Sequence, residues 1–371
     1  VLPGKLMSPL SAVMAAIGLS AVLFWAGRPY GLADATRLSP SETNVSGIVV
    51  VKDARPLMGT VWEITVAERR RSRSALSAII DQAFDEIARV DQALSDWRDG
   101  TELNEVNRNA GNRPVPVSRE TYDVVVRANH FSETSNGAFD ITFNVMWGVW
   151  DFKKSPAALP DPAEIERRLP LINFRDVVLN AEARTIFLRR KGMKIGLGAI
   201  GKGYAVDCVC ALLEDSGLSN YIVAGGGDMR LSGSRGAAPW RIAVQHPRKK
   251  GYIYLLGLTD TAVATSGDYE RFFILDGTRY HHILDPKTGH PARGLSSVTI
   301  ICPNAMDADA LATSVFVLGK NKGLQLLEET PGVEGIFVDD NTRSAMTSGL
   351  TVRMDDSLEL PTVLLKQAGG E

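Results

Sequence analysis

The chain has 371 residues, and its 41 Lys and Arg against 43 Asp and Glu leave a formal net charge of −2. That balance gives no support for nucleic-acid binding, while an apolar share of 44% is enough for a sizeable globular core. Cys208, Cys210 and Cys302 are odd in number, and the first two stand two apart on a predicted helix, so they read as core thiols and not as a disulfide framework or a zinc site.

Lys5 precedes an apolar run from Ser8 to Ala26, closed by Gly27-Arg28-Pro29 and followed by the small-x-small pattern Ala33-Asp34-Ala35. Residues 1–35 are therefore expected to be an export signal, with an uncleaved N-terminal anchor as the alternative and a periplasmic location in either case. No cysteine lies there to carry a lipid, and later apolar runs are too short to span a bilayer. The Ser-, Thr- and Asn-rich residues 36–50 read as a linker, and residues 51–365 as one catalytic domain.

Within that domain, Gly59–Val66 has strand character. Ala75–Leu94 carries apolar residues at helical spacing (Leu76, Ile80, Phe84, Ile87), and Thr121–Glu133 is a second predicted helix. After the Pro-rich excursion of Pro156–Leu169 come strands at Asp176–Leu179 and Thr185–Arg189, a glycine-rich loop, and a helix from Lys202 to Asp215 ended by Gly217. Strand and turn signals fill Tyr221–Thr299. A last helix is expected to start near Asp307 as N-cap, to carry Leu311, Val315 and Leu318 on one stripe, and to stop at Gly319. This order lacks regular βαβα alternation and predicts a mixed α+β fold: largely antiparallel sheets flanked by helices, with two subdomains forming one catalytic unit.

Several segments carry candidate chemistry. Asp309 and Thr313, four apart on a helix, share a face and offer a carboxylate and a hydroxyl, hard oxygen donors suited to magnesium. The structural alternative is a first-turn aspartate favoured by the helix dipole and a threonine bonded back to a carbonyl. The loop Gly196–Gly203 opens a helix at Lys202, so its backbone can approach a phosphate beside a fixed positive charge; otherwise it is a close strand-to-helix turn. Gly225-Gly226-Gly227-Asp228 has the same two readings. Asn136–Thr142, with Trp147 and Trp150 after it, either lines a pocket for a flat ring or belongs to the core, and Trp97 stands at a helix end. On a strand His281 and His282 face opposite sides, and His282, directly before the turn Ile283-Leu284-Asp285-Pro286, is the better candidate; His130, His246, His281 and His290 read as surface or packing residues.

In chain order stand Met58-Gly59-Thr60, Gly137-Ala138-Phe139-Asp140-Ile141-Thr142, Gly198-Ala199-Ile200-Gly201-Lys202-Gly203-Tyr204-Ala205-Val206-Asp207 and Gly225-Gly226-Gly227-Asp228. Thr265-Ser266-Gly267-Asp268-Tyr269, His282-Ile283-Leu284-Asp285-Pro286-Lys287-Thr288-Gly289 and Asp309-Ala310-Leu311-Ala312-Thr313 follow. This series, spread from Met58 to Asp339, resembles the FAD:protein FMN transferases, the ApbE-type flavin transferases. The resemblance implies a T-fold-like body that uses magnesium to split FAD at its pyrophosphate, joins FMN through a phosphoester to a threonine of an acceptor protein, and releases AMP. The acceptor would be a membrane-bound or periplasmic redox subunit.

By position, the carbonyl of Ala199, the carboxylate of Asp309 and the hydroxyl of Thr313 would hold the metal. Met58, Trp97, Ala138, Phe139, Asp140, Lys202 and Ile283 would contact FAD, and His282 would assist proton transfer with a pKa near its ordinary value. Two departures from the family pattern stand out: Gly196 replaces a common aspartate, and Ala312 stands where some members have a second acid. The competing functions are a magnesium-dependent FAD pyrophosphatase and a flavin-binding assembly protein without turnover.

Overall fold

A computed structural model describes residues 38–45, 47–152, 157–234, 238–355 and 360–365. In chain order its elements begin with β1 (Leu38–Val45), β2 (Ile48–Leu57), β3 (Thr60–Glu68), α1 (Arg73–Leu94), α2 (Glu102–Arg108), β4 (Val115–Pro116) and α3 (Arg119–Thr134). Next are α4 (Pro162–Arg168), β5 (Val177–Asn180), β6 (Thr185–Leu188), α5 (Gly201–Asp215), β7 (Tyr221–Gly225), β8 (Asp228–Ser232), β9 (Trp240–Gln245), β10 (Tyr252–Leu258) and β11 (Thr261–Gly267). The chain continues through β12 (Phe272–Leu275), β13 (Thr278–His281), β14 (Leu295–Cys302), α6 (Ala305–Glu328), β15 (Glu334–Asp339), β16 (Ser344–Met346), β17 (Leu350–Asp355) and β18 (Leu360–Leu365).

A nine-stranded sheet in the order β1-β2-β3-β7-β8-β11-β14-β15-β16 carries the fold, and every neighbouring pair in it is antiparallel. Side chains alternate across a strand, so each strand feeds two cores. Val51, Trp62, Ile64, Tyr221, Val223, Ala264 and Ile300 pack with α1, α5 and α6 on one face. Val50, Ile222, Ala224, Val263 and Ile301 pack on the other against Trp240, Ile242, Leu256 and Val363 of the sheet β17-β18-β10-β9. Burial on both faces is why β7 and β14 are buried at every position and lack the apolar–polar alternation of a half-exposed strand. A third, smaller core of Val145, Met146, Trp150, Ile165, Phe273 and Leu284 lies under the β12–β13 hairpin.

Two boundaries differ from the sequence reading. Residues 36–50 are not a free linker: β1 pairs antiparallel with β2, which starts at Ile48. A polar stretch suits this place because an edge strand is held by its backbone ladder and needs no apolar sequence. The last helix is capped by Asn304, whose side chain accepts from Asp307 N at 2.9 Å, while Asp307 turns outward to a two-pronged ion pair with Arg127. Gly319 does break the helical path, at φ 76°, yet a further helical stretch continues to Glu328. The proposed export segment 1–35 lies outside the described residues, and no described helix is long and apolar enough to cross a membrane.

Candidate active site

The site is built where α5 and α6 cross. Gly203 makes the approach possible: a Cβ there would fall inside van der Waals contact of the Ala305 carbonyl. Each helix then supplies an aspartate to the other's N-terminus. Asp207 of α5 accepts from Ala305 N (3.0 Å) and Met306 N (2.8 Å), the first amides of α6. Asp309 of α6 accepts from Gly203 N (3.1 Å) at the start of α5, whose N-cap position, Ile200, has no capping side chain. Unpaired amides and the positive end of the helix dipole favour a carboxylate at both places.

Asp309 holds a second group, the Lys202 ammonium, at 3.1 and 3.2 Å. Lys202 also pairs with Asp228 at 2.8 Å, so one ammonium bridges two buried carboxylates. Burial alone would lower the Lys202 pKa, but the two aspartates hold it above its ordinary value. The Asp228 carboxyl is raised by burial and by Asp309 despite the pull of Lys202. Thr313 stands one turn beyond Asp309 and its hydroxyl makes no hydrogen bond among the described residues, whereas the hydroxyl of the neighbouring Ser314 bonds back to the Ala310 carbonyl at 2.7 Å. The threonine hydroxyl therefore remains open to a ligand.

Asp228 is placed by the β7–β8 turn. A Cβ on Gly225 would sit 2.6 Å from the Trp62 ring and one on Gly226 2.8 Å from Thr60 Oγ1, so only glycines let this turn lie against β3. Met58 (φ 48°) and Gly59 (φ 72°) form the tight β2–β3 corner immediately before Thr60, which brings the Met58-Gly59-Thr60 and triple-glycine motifs side by side. Thr265 N, donating to the Gly227 carbonyl at 3.1 Å, ties the Thr265–Tyr269 motif to the same end of the sheet.

The adjacent histidines divide at the end of β13, which includes His281 and stops before His282. His281 is buried edge-on against Phe316, with Nε2 2.9 Å from the Ala292 carbonyl and Nδ1 accepting from Ile283 N at 3.3 Å. His282 is part-buried, and its Nδ1 has no hydrogen-bond partner among the described residues. Burial first, then the charges of Arg271, His281 and Lys202, push the His282 pKa down to about 3. This overturns the expectation of an ordinary value. The turn after it is fixed by Trp150 Nε1 donating to the Gly289 carbonyl (2.9 Å) and by Gly289 lying against Ile165 and Met146.

The remaining predicted residues are less directly placed for ligand contact. Phe139 is a core side chain, edge-on to Phe131, and Ala138 and Ile283 are buried, so their side chains present little free surface. Asp140 is occupied internally: it accepts from Thr142 N (2.8 Å), Thr142 Oγ1 (2.6 Å) and Phe174 N (2.8 Å). Trp97 is 64% exposed under the Arg98 guanidinium. Ala199 is part-exposed in the loop before α5. At Gly196 the space a side chain would fill is taken by Asn144, whose Cγ lies 2.8 Å from the Cβ position while its amide donates to the Ile195 carbonyl. Sequence reasoning assigned no role to Asp207 or Asp228; their signal was their place at the end of glycine-bearing motifs.

Among the described residues no three His, Cys, Asp or Glu side chains form a metal-binding cluster. The donors shown beside Lys202 are the carboxylates of Asp309 and Asp228, while Thr313 follows one turn along α6 and Ala199 precedes α5. A model of the ApbE family matches residues 58–337. The chain belongs to the ApbE family. It is 35% identical over 318 residues to an FAD:protein FMN transferase of Treponema pallidum, covering 81% of this chain and 88% of the relative. A Vibrio cholerae protein of the same name is 31% identical, with 79% and 89% covered. Among solved structures, the ApbE protein of Thermotoga maritima superposes with a TM-score of 0.73 at 32% identity, covering 83% of this chain and 97% of that one. The flavin transferase ApbE of Vibrio cholerae gives 0.72 at 29% identity, with 81% and 98% covered. The mixed, largely antiparallel α+β fold expected from sequence is thus the fold of ApbE proteins.

Proposed function

We propose that this ApbE-family chain transfers FMN from FAD to a threonine hydroxyl of an acceptor protein. The observation that carries the reading is the junction of Lys202, Asp309 and the open Thr313 hydroxyl at the α5–α6 crossing, together with the unpartnered ring nitrogen of His282. The threonine oxygen forms a bond to the FMN phosphorus, the pyrophosphate bond to AMP breaks, and AMP leaves with the bonding electron pair. His282 takes the hydroxyl proton.

The oxygen donors of Ala199, Asp309 and Thr313 fit a hard cation such as magnesium. Bound there, magnesium would offset negative charge on the diphosphate. Lys202 supplies a fixed positive charge at the mouth of α5, and the glycine loop leaves the backbone accessible to phosphate oxygens. His282, held neutral by its surroundings, keeps a lone pair available at any physiological pH. An anionic diphosphate beside it counters the Arg271 and Lys202 charges and raises its proton affinity toward the working range. Only the apolar run of residues 8–26 supports an exported, membrane-bound or periplasmic redox subunit as acceptor.

The test is to incubate the protein with FAD, magnesium and a threonine-bearing acceptor and to look by mass spectrometry for an acceptor heavier by one FMN. An FMN adduct with matching AMP is the expected result. AMP released equally fast without acceptor would make water the acceptor, and neither product would remove the assignment.

A further inference from the structure

We propose that Asp228 is a positioning residue for Lys202: it keeps the ammonium in place when Asp309 is drawn to a divalent cation. The inference rests on the reading of Asp309 as a metal ligand and extends it to a residue that reading does not include.

Charge and rigidity set the two aspartates apart. In the structure one ammonium is shared by two carboxylates, at 2.8 Å from Asp228 and 3.1 Å from Asp309. Two anions and one cation leave a net negative charge that a divalent cation can meet, provided that one carboxylate stays with the lysine. The two aspartates are not equivalent in this respect. Asp309 shares a helical face with Thr313, one turn along α6, and also accepts from Gly203 N at the start of α5, so a hydroxyl-bearing residue stands on its own face of the helix.

Asp228 is 3% exposed and begins β8 directly after a turn whose glycines are pressed against Trp62 and Thr60 and whose Gly227 carbonyl is bonded by Thr265 N. Its backbone is held in register between β7 and β11, opposite Gly225 and Ala264. Without Asp228, Lys202 would turn wholly to Asp309, and lysine and metal would compete for one carboxylate.

That competition is measurable without turnover. Mn2+, which takes the same oxygen ligands, serves as the probe; its binding to the full chain without FAD is followed by electron paramagnetic resonance or calorimetry. Asp228→Asn should weaken Mn2+ binding about tenfold, and the same substitution in a Lys202→Met background should change it less than about threefold, because the competing cation is gone. A weakening that persists in the Lys202→Met background makes Asp228 a direct ligand or a scaffold element and overturns the proposal, as does an unchanged affinity in Asp228→Asn.

A second measurement needs no variant at position 228: the Lys202 side-chain nitrogen resonance should persist on Mg2+ saturation, and its loss to fast exchange overturns the proposal. Asp309→Ala separates the two levels. If it binds Mn2+ as well as the parent, the metal-site reading and this inference both fail; if it loses Mn2+ while the Asp228–Lys202 cycle is flat, the inference alone fails.

Discussion

Asp207 and Asp309 perform the same structural act at one helix crossing, each closing the N-terminus of the other's helix, yet they differ in what else they hold. Asp207 accepts from two backbone amides and is paired at 3.3 Å with Arg230, which reaches it from β8. Asp309 has one backbone amide and shares the Lys202 ammonium with Asp228. Arg230 also pairs with Glu214, so the difference lies in the backbone: a carboxylate held by two amides stabilises, while one held by a single amide and an ammonium shared with a second buried carboxylate can be redirected. The same fold feature thus yields a strut on one side and a ligand on the other.

Substitutions at the two positions should separate these roles. Asp309→Ala is expected to lower magnesium-dependent FMN transfer by about a thousandfold or more while a folded protein is retained, measured by adduct formation. Full activity in that variant, or in chelator with the parent, would erase the distinction. His282→Ala should slow transfer by about a hundredfold with FAD affinity largely intact; equal rates would remove the imidazole from the mechanism.

Asp207→Ala should instead cost about 2 kcal/mol in denaturant unfolding, through two lost helix-capping bonds, with activity per folded molecule nearly kept. A large loss of turnover without loss of stability would give Asp207 a chemical role. The smallest effect is expected at Gly196→Ala, where the added methyl meets Asn144 and should cost about 1 kcal/mol; a neutral or stabilising result would show that Asn144 yields freely.

The pH dependence sharpens the comparison from another side. The folded state holds His282 neutral down to about 3, whereas the unfolded chain protonates it near its ordinary value of about 6.5. The unfolded state therefore binds more protons as pH falls through that window, and stability is lost from about 6.5 downward. His282→Gln should flatten that part of the acid-unfolding curve, and a superimposable curve would show that another group sets it.

Much of the molecule is legible in its amino-acid order. The stripe of Leu76, Ile80, Phe84 and Ile87 is the buried face of α1, and the end of α5 near Gly217 matches its φ of 75°. The pairing of Asp309 with Thr313 on one helical face needs only the helical period. The edge strand β1 is not legible, because a strand held by its backbone ladder leaves no periodic apolar mark, and the N-cap of α6 is ambiguous in sequence because Asn304 and Asp307 are both good capping types. The ordinary pKa expected of His282 fails for a related reason: its burial and the charges of Arg271 and Lys202 come from segments that sequence spacing does not bring together.

The amino-acid order by itself determined the local elements, their ends, and which residue types stand ready for metal, phosphate and proton chemistry, since periodicity and capping act within a turn or two of the chain. Only the tertiary structure decided that Lys202 meets Asp309 across 107 residues, that Asp228 joins them, and that Asp207 serves as a strut. Those contacts depend on how closely two helices and a glycine turn pack, and a spacing written along the chain carries no measure of that distance.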